Sequence, residues 1–341
     1  MQRVLITGGG GFIGSHLVDS RLAQGSLVRT VDLHVERLAH TADHPHLEIV
    51  AGGMTQAALV KGLLDGVDLV YHLASAHLDV NLSDDYYHEV NVDASVGLLR
   101  AARAAGVSRV VHCSSVGVMG DVENPPADEG TPCRPTNIYE QTKLAGEQAV
   151  LRYADETGDS VVVARPAWVY GPRCPRTEKL FRTIGKGRFP FFGNGRTLRH
   201  PVHVSDAVRG LELCAEVGSA TGQVYILAGE EIVTVEQLVN MIAEILEVRP
   251  PRLHLSVALG KLGGHALELA FKPLGRQPPF SRRSLDFFLK DNAYDITKAR
   301  CELGFQPQVD LHTGLAGSLH WLRSGKNSHT RNAAVDGATD G

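Results

Sequence analysis

Residues 3–14 read Arg3-Val4-Leu5-Ile6-Thr7-Gly8-Gly9-Gly10-Gly11-Phe12-Ile13-Gly14. The apolar residues before the glycines are typical of a short buried strand, and the apolar spacing after them is typical of a helix. Glycines between a strand and a helix let the backbone approach a phosphate closely, because they carry no Cβ atom. The free N–H groups and the dipole at the start of the helix favour the negative charge. We therefore predict a pyrophosphate-binding turn with Gly8, Gly11 and Gly14 as its essential positions.

The residue that ends the next predicted strand indicates which dinucleotide this turn binds. Asp32 follows the apolar segment 27–31 and stands 18 residues after Gly14. A carboxylate there accepts hydrogen bonds from the ribose hydroxyls and repels a 2′-phosphate, which favours NAD over NADP. His34 and Arg37 follow closely and soften that preference. The predicted cofactor is NAD, with NADP as the less favoured one.

Length and composition are typical of a soluble globular enzyme with about two domains. The chain has 341 residues and a net charge of −4, and no basic run points to nucleic acid. No apolar run is long enough to span a membrane and no targeting segment precedes the first strand, so we expect a cytoplasmic protein. The five cysteines are scattered, and none forms a CxxC pair, so we expect neither a metal site nor a disulfide framework.

Predicted strands and helices alternate along the first 115 residues. Apolar strands are predicted at 46–50, 68–73 and 109–113, with one helix over 86–105. This alternation is typical of an α/β protein with a Rossmann-type, doubly wound parallel sheet. The small residues 74–76 follow a strand directly, where they let a flat cofactor lie against the backbone.

The regular alternation stops after residue 172. We predict an NAD-binding Rossmann domain over residues 1–172, to which later segments return. Residues 173–324 form mainly a smaller C-terminal α/β substrate-binding region. The small and polar residues 325–341 are predicted to be a disordered tail.

Three side chains form the candidate catalytic set: Ser115, Tyr139 and Lys143. Ser115 follows a predicted strand, and the other two lie one turn apart on a helix predicted over 137–153. A tyrosine with its ordinary pKa of about 10 is a poor base at neutral pH. The Lys143 ammonium and a positive nicotinamide would favour the phenolate and lower that pKa. Tyr139 can then take a proton from a secondary alcohol as hydride leaves, while Ser115 holds the same oxygen.

With these motifs in order, the chain resembles an extended short-chain dehydrogenase/reductase of the NAD-dependent epimerase/dehydratase type. The resemblance implies a Rossmann domain, a bound nicotinamide dinucleotide, a homodimer and the catalytic roles described above. The matching segments are residues 7–14, 71–74, 114–115, 139–143, 165–166, 170–172 and 203–206.

The same resemblance implies which residues contact each ligand. The implied cofactor contacts are Gly8, Gly11, Phe12, Ile13, Gly14, Asp32, Leu73, Ala74, Ser75, Asn91, Tyr139, Lys143 and Pro166. The implied substrate contacts are Ser115, Trp168, Arg173 and Arg199. Arg199 matches an arginine that holds the substrate diphosphate in sugar-nucleotide enzymes, whereas Trp168 replaces an asparagine that many relatives place on the same group.

The two residues after Ser115 separate activities within the family. Nucleotide-sugar 4,6-dehydratases carry an Asp-Glu pair there, and its carboxylates remove water from neighbouring carbons. Val116 and Gly117 supply neither an acid nor a base. We therefore expect hydride transfer at a secondary alcohol or ketone carbon, by a nucleotide-sugar epimerase or ketoreductase and not by a 4,6-dehydratase.

The C-terminal third leaves alternatives open. Residues 255–272 are largely apolar and resemble the 3β-hydroxysteroid and sterol dehydrogenase branch, where such a segment borders an apolar substrate or lies on a membrane surface. The layout also resembles lipid-associated sugar epimerases and fits a helix that merely closes the substrate region. A dehydrogenase of a sterol-like or other apolar alcohol is thus the first alternative function. A non-catalytic NAD-binding regulator is the second, and the complete set of Ser115, Tyr139 and Lys143 disfavours it.

Overall fold

A seven-stranded parallel sheet forms the centre of the protein in this computed structural model, which describes residues 1–77, 82–271, 280 and 282–336. The strand order is β11-β6-β5-β4-β1-β2-β3, and every neighbouring pair is parallel. The strands are β1 (Arg3–Thr7), β2 (Leu27–Asp32), β3 (Leu47–Ala51), β4 (Leu69–His72), β5 (Arg109–Cys113), β6 (Val161–Pro166) and β11 (Val224–Leu227). The order reverses between β1 and β4, which is where a doubly wound sheet opens a crevice at its carboxyl edge.

Helices cover both faces of this sheet, because its central strands are apolar on both sides. One face packs against α1 (Phe12–Ala23), α7 (Val204–Glu216) and α11 (Thr297–Leu303). The other face packs against α2 (Ala57–Leu63), α4 (Ala94–Ala104) and α5 (Ile138–Thr157). This arrangement confirms the predicted Rossmann-type, doubly wound fold.

The helix predicted over 86–105 is interrupted by a π-helical turn. Its parts are α3 (Asp84–His88), the π turn Glu89–Asp93 and α4. Asn91 lies in the middle of the π turn and is buried. Apolar periodicity does not reveal such a turn, because one extra residue in a helix leaves the pattern nearly intact.

The second half of the chain forms a separate hydrophobic core beside the sheet. Its strands pair as β10 with β7, β12 with β9, and β13 with β8. These strands are β7 (Trp168–Tyr170), β8 (Phe191–Phe192), β9 (Leu198–Arg199), β10 (Pro201–His203), β12 (Val233–Thr234) and β13 (His254–Leu255). The helices are α6 (Pro175–Gly185), α8 (Val235–Ile245), α9 (Val257–Phe271), α10 (Asp286–Leu289) and α12 (Leu311–Asp336). The later elements α7, β11 and α11 pack with the sheet. The predicted domain boundary after residue 172 stays a prediction.

The last helix continues into the segment that was predicted to be a disordered tail. Its first turns bury Leu311, Leu315 and Leu319 in the second core, and the helix runs on to Asp336. The remaining tail residues, 337–341, lie outside the described residues. Within the described ranges, no helix combines the length and the hydropathy needed to cross a bilayer.

Candidate active site

The glycine loop, residues 8–11, is held tightly against the carboxyl ends of β1 and β4. Gly8 has φ +75°, and a Cβ atom added there would lie 2.6 Å from the backbone nitrogen of Ala74. A Cβ atom on Gly14 would lie 2.1 Å from the carbonyl oxygen of Gly8. Only glycine fits these two positions without moving the backbone.

The start of α1 offers donors to an anion. Gly11 provides no side-chain cap, and no acidic residue occupies the first turn. The first N–H groups of a helix have no intrahelical acceptor, so those of Phe12, Ile13 and Gly14 are suited to a phosphate. A Cβ atom on Gly11 would meet only the Gly8 oxygen, at 3.0 Å. The loop therefore fits the pyrophosphate of a dinucleotide.

Asp32 lies beside this loop at the carboxyl end of β2. Its Cβ atom would be 3.2 Å from a Cβ atom added to Gly10, and its carboxylate accepts a hydrogen bond from the backbone N–H of His34 at 3.0 Å. Arg37 is exposed and donates from Nη1 to the Gly10 carbonyl at 3.2 Å. A carboxylate suited to ribose hydroxyls and a nearby guanidinium thus share one edge of the loop, as the sequence predicted.

Asn91 holds the segment that follows β4 through side-chain hydrogen bonds. Its amide oxygen accepts hydrogen bonds from Ser75 Oγ at 3.0 Å and from the N–H of Ala76 at 2.8 Å. Its amide nitrogen donates to the Ala76 carbonyl at 3.2 Å and to Thr142 Oγ1 at 3.0 Å. An asparagine amide has two donor and two acceptor positions, and protein atoms fill all four. Asn91 thus positions residues 75 and 76 through these hydrogen bonds, and its predicted contact with the cofactor stays a prediction.

The predicted catalytic side chains converge at the carboxyl end of β5. A Cβ atom added to Gly117 would lie 3.3 Å from Ser115 Oγ and 4.0 Å from Cε1 of Tyr139. Both side chains are partly exposed. Lys143 is buried, and its Nζ donates to the carbonyl oxygen of Cys113 at 2.6 Å. The structure thus places the hydroxyl, the phenol and the ammonium around one strand end.

Two buried histidines lie under this group on the same face of the sheet. His72 bridges Thr7 Oγ1 at 2.7 Å and Ser95 Oγ at 2.9 Å, and its ring centre is 5.3 Å from that of His112. Burial lowers the pKa of His72 to about 3 and that of His112 well below its ordinary value, and the charge of Lys143 adds to both shifts. Both imidazoles are therefore neutral near pH 7. Neither ring nitrogen of His112 has a hydrogen-bond partner among the described residues.

The side chain of Glu140 approaches Gly117, one of the two residues at which the resemblance places the acidic pair of dehydratases. A Cβ atom on Gly117 would lie 3.5 Å from its Cγ. Its carboxylate, however, accepts hydrogen bonds from the backbone and hydroxyl of Thr136 at 2.7 and 2.9 Å, and it lies 3.6 Å from Lys290 Nζ. These partners hold Glu140 in the first turn of α5.

Sequence reasoning missed His77, which follows β4 by five residues. Its ring centre is 4.7 Å from that of Tyr139 in an edge-to-face arrangement, and its Nε2 lies 3.1 Å from a guanidinium nitrogen of Arg176. The carboxyl ends of parallel strands meet at one edge, so its position after β4 was a usable signal. His77 thus contacts both Tyr139 and Arg176, a residue in the first turn of α6.

Trp168 and Arg199 meet through one aromatic side chain. The rings of Trp168 and Phe287 are 6.2 Å apart, edge to face, and the Arg199 guanidinium lies 4.8 Å from the Phe287 ring centre. Arg199 is buried and donates to the backbone carbonyls of Phe287 and Asp286, at 3.1 and 2.9 Å. Burial lowers its pKa to about 10. Much of the hydrogen-bonding capacity predicted for a substrate diphosphate is thus directed to the protein.

Arg173 bonds to side chains of α1. Its guanidinium donates to Asp19 at 2.6 Å and to Nδ1 of His16 at 2.9 Å. Burial lowers the pKa of His16 to about 4, so its neutral ring can accept this bond. Arg173 thus connects the segment after β7 to α1, and its predicted contact with the substrate stays a prediction.

The remaining predicted cofactor residues lie along the same edge of the sheet. Leu73, Ala74 and Ser75 follow β4, and the buried Pro166 ends β6. With the glycine loop after β1 and Asp32 at the end of β2, they outline a crevice along the carboxyl edge. These residues lie at the carboxyl ends of neighbouring strands, and their contact with the cofactor stays a prediction.

Comparison with known proteins gives a consistent picture. Residues 4–228 match the NAD dependent epimerase/dehydratase family. A dTDP-glucose 4,6-dehydratase from an Actinoplanes species is 30% identical, and the match covers 96% of this chain and 99% of the relative. A 3 beta-hydroxysteroid dehydrogenase/Delta 5→4-isomerase from Mycobacterium tuberculosis is also 30% identical, with 95% and 91% covered. The solved structure of MoeE5 in complex with UDP-glucuronic acid and NAD matches with a TM-score of 0.76 and 30% identity, covering 95% of this chain and 99% of MoeE5.

These findings confirm the predicted family and the predicted likeness to 3β-hydroxysteroid dehydrogenases. They give no support to the predicted exclusion of dehydration, because a 4,6-dehydratase is among the similar proteins. The glycine loop and the strand-end residues fit the dinucleotide that the family description names. The chain is an NAD-dependent enzyme of the extended short-chain dehydrogenase/reductase type, and it belongs to the NAD dependent epimerase/dehydratase family.

Proposed function

We propose that this enzyme transfers hydride at a secondary alcohol or ketone carbon of a nucleotide-activated sugar, as an epimerase or ketoreductase. The observation that carries this proposal is the convergence of Ser115 and Tyr139 beside Gly117, with the buried Lys143 bonded to the end of the preceding strand β5. NAD supplies the hydride acceptor or donor when it is bound.

The chain's own residues handle the oxygen and its proton. Ser115 Oγ accepts a hydrogen bond from the backbone N–H of Gly117 at 3.0 Å, which leaves its own hydrogen for a substrate oxygen. The Tyr139 phenolic oxygen takes the alcohol proton during oxidation and returns it during reduction. The Lys143 ammonium stays near β5 through Cys113 and favours the phenolate.

The local side chains support hydride transfer without loss of water. Dehydration needs an acid and a base beside the reacting carbons, and Val116 and Gly117 offer neither. Glu140 approaches the same place but is held by Thr136 and Lys290. This part of the proposal rests on those side chains alone, because the similar proteins include a 4,6-dehydratase.

Two observations bear on the substrate. The likeness to MoeE5, whose structure holds UDP-glucuronic acid and NAD, and to a dTDP-glucose 4,6-dehydratase favours a nucleotide sugar. The contact of Trp168 with Phe287, and the carbonyl partners of Arg199, favour the second candidate, a dehydrogenase of an apolar alcohol. The similar 3 beta-hydroxysteroid dehydrogenase is consistent with this candidate.

A substrate panel on the purified protein tests the proposal. UDP- and dTDP-hexoses and 3β-hydroxysteroids are incubated with the enzyme and NAD, and products are followed by NMR and by the absorbance of NADH. We expect turnover of a nucleotide sugar and retention of nicotinamide through gel filtration if the enzyme is an epimerase. Turnover confined to the steroids would establish the second candidate instead, and a 4-keto-6-deoxy sugar would overturn the exclusion of dehydration.

The variant Tyr139→Phe isolates the chemistry. We expect kcat to fall by about 10²- to 10⁴-fold, because the proton-transferring oxygen is removed, while nicotinamide content stays unchanged. Tyr153→Phe, on the same helix and partly buried, is the control and keeps full activity. Unchanged turnover in Tyr139→Phe would contradict the assigned role. Light scattering on the same samples measures the homodimer, which stays a prediction from the family resemblance.

A further inference from the structure

Arg176 lies close to the predicted catalytic tyrosine, with one imidazole between them. The ring centre of His77 is 4.7 Å from that of Tyr139, and its Nε2 is 3.1 Å from a guanidinium nitrogen of Arg176. A guanidinium only donates hydrogen bonds, so Nε2 of His77 accepts this one. The ring hydrogen is then on Nδ1, and the imidazole is neutral while it holds Arg176. The positive charge of this pair is therefore on the guanidinium.

A strained turn determines where the first turn of α6 lies. Strand β7 is followed by a turn in which Arg173 has φ +67°, a left-handed conformation that costs energy for a residue with a side chain. The guanidinium of Arg173 donates to Asp19 of α1 at 2.6 Å. Helix α6 begins directly after this turn, with Pro175 as its first residue. The anchored turn thus fixes the position of the helix start, which includes Arg176.

The segment that contains α6 is rich in positive charge, although the whole chain has a net charge of −4. Residues 173–188 contain six cationic residues and a single carboxylate, Glu178. Of these cationic residues, Arg176, Lys179 and Arg182 are exposed on α6. An excess of exposed cations raises the local concentration of anions. The segment therefore favours a ligand with negative charge.

Other cations near the site are engaged within the protein. Lys143 Nζ donates to the Cys113 carbonyl at 2.6 Å, and Arg199 donates to backbone carbonyls at 3.1 and 2.9 Å. Both side chains are buried. Arg176, in contrast, is exposed beside His77, where a bound substrate can reach its guanidinium.

We propose that Arg176, held in place by His77, binds an anionic oxygen group of the substrate close to the reacting carbon. This inference rests on the proposed function, because it requires the substrate oxygen to bind at Ser115 and Tyr139. A guanidinium presents parallel N–H donors that match the oxygens of a carboxylate or a phosphate. On a nucleotide sugar, the group is either a carboxylate on the sugar or the diphosphate at the anomeric carbon. His77 is a positioning residue, because its Nε2 holds the guanidinium.

Equilibrium titration of the NAD-loaded protein with UDP-glucuronate and UDP-glucose tests this inference. The two ligands share the nucleotide and the diphosphate and differ by one carboxylate. We expect Arg176→Met to raise the Kd for UDP-glucuronate by about ten- to a hundredfold, because a charge-assisted hydrogen-bonded pair is lost. An unchanged Kd for UDP-glucose would assign the anion to the sugar carboxylate, whereas an equal rise would assign it to the diphosphate.

Arg182→Met is the matched control. It removes the same charge from an exposed position further along α6, and it should leave the Kd of both ligands unchanged. Nicotinamide content and the urea midpoint of each variant show that it is folded.

Two variants of His77 test its positioning role. His77→Gln keeps an acceptor for the Arg176 guanidinium, so its Kd for UDP-glucuronate should stay within about threefold of that of the unchanged chain. His77→Leu removes the acceptor and should approach the loss seen in Arg176→Met. Where turnover is measured, both losses should appear in KM more than in kcat, because the anion lies apart from the proton transfer.

Three outcomes would overturn the inference. They are an unchanged Kd for both ligands in Arg176→Met, the same loss in Arg182→Met, and equal losses in the two His77 variants. If the unchanged chain binds neither nucleotide sugar and oxidises a 3β-hydroxysteroid, the proposed function fails and the inference fails with it. Binding of both nucleotide sugars without a response to Arg176→Met is the failure of the inference alone.

Discussion

The predicted cofactor side and the predicted substrate side of the enzyme are held together by different kinds of contact. On the cofactor side, backbone fits against backbone: Gly8 meets Ala74, and Gly14 meets Gly8. On the predicted substrate side, the side chains of Trp168 and Arg199 both contact Phe287. These three residues lie on the short elements β7, β9 and α10, which have two to four residues each. A glycine packed against backbone atoms cannot be replaced without moving the chain, whereas a side chain on a short element can be substituted alone. We therefore expect single substitutions to be tolerated better on the predicted substrate side than on the predicted cofactor side.

The largest expected effect tests the backbone fit. Gly8→Ala should lower the free energy of unfolding by about 3 kcal/mol or more, since a Cβ atom meets Ala74 and φ is positive. NAD affinity should fall as well, because the loop must move. Gly25→Ala is the control: Gly25 has φ +79° but no atom within 4 Å of the added carbon. Urea unfolding and NAD titration measure both effects, and equal losses in the two variants would show that strain alone matters.

An intermediate effect is expected at the contact between α1 and the segment after β7, where Arg173 bonds His16. Burial keeps the folded-state pKa of His16 at about 4, below its ordinary value of 6.5. The unfolded chain therefore binds a proton first as pH falls, so stability is lost between pH 6.5 and 4. We expect a loss of about 2–3 kcal/mol from this residue. Urea unfolding at several pH values should show a flatter profile for His16→Gln, and an unchanged profile would remove His16 as a cause.

The smallest expected effect tests the substrate side. Arg199→Met leaves the carbonyls of Asp286 and Phe287 without their donors, which should cost about 1–2 kcal/mol. NAD content should not change, and KM for a diphosphate-bearing substrate should rise if the guanidinium also reaches that group. The exposed Arg196 provides the control variant Arg196→Met. A loss of bound NAD in Arg199→Met would contradict the assignment of Arg199 to the substrate side alone.

Local patterns were enough to predict at which strand or helix end each candidate cofactor residue lies. The glycine loop, Asp32 and the Tyr139 to Lys143 turn each combine a residue type with a position on one strand or helix, and the fold brings them to one edge. Composition and periodicity contain that information, because every member is positioned by its own element.

Polar partners distant in sequence were the part that could not be predicted. Asn91 bonds Thr142, and Arg173 bonds Asp19, which is 154 residues away. Arg199 likewise turns to a carbonyl 87 residues on. A guanidinium or amide accepts any suitable partner, so its choice depends on tertiary packing that no short motif encodes.

The place of β11 in the sheet affects how the chain must fold. Among the strands that the structure describes, β11 pairs with β6 alone, and it is synthesised after α6 and α7. Until residue 227 has emerged, β6 is an edge strand whose residues are all destined for burial. Unpaired apolar edges recruit strands from other chains. We therefore expect a fragment ending at residue 172 to aggregate more readily than the full chain in sedimentation, because its strand β6 lacks a partner on one side.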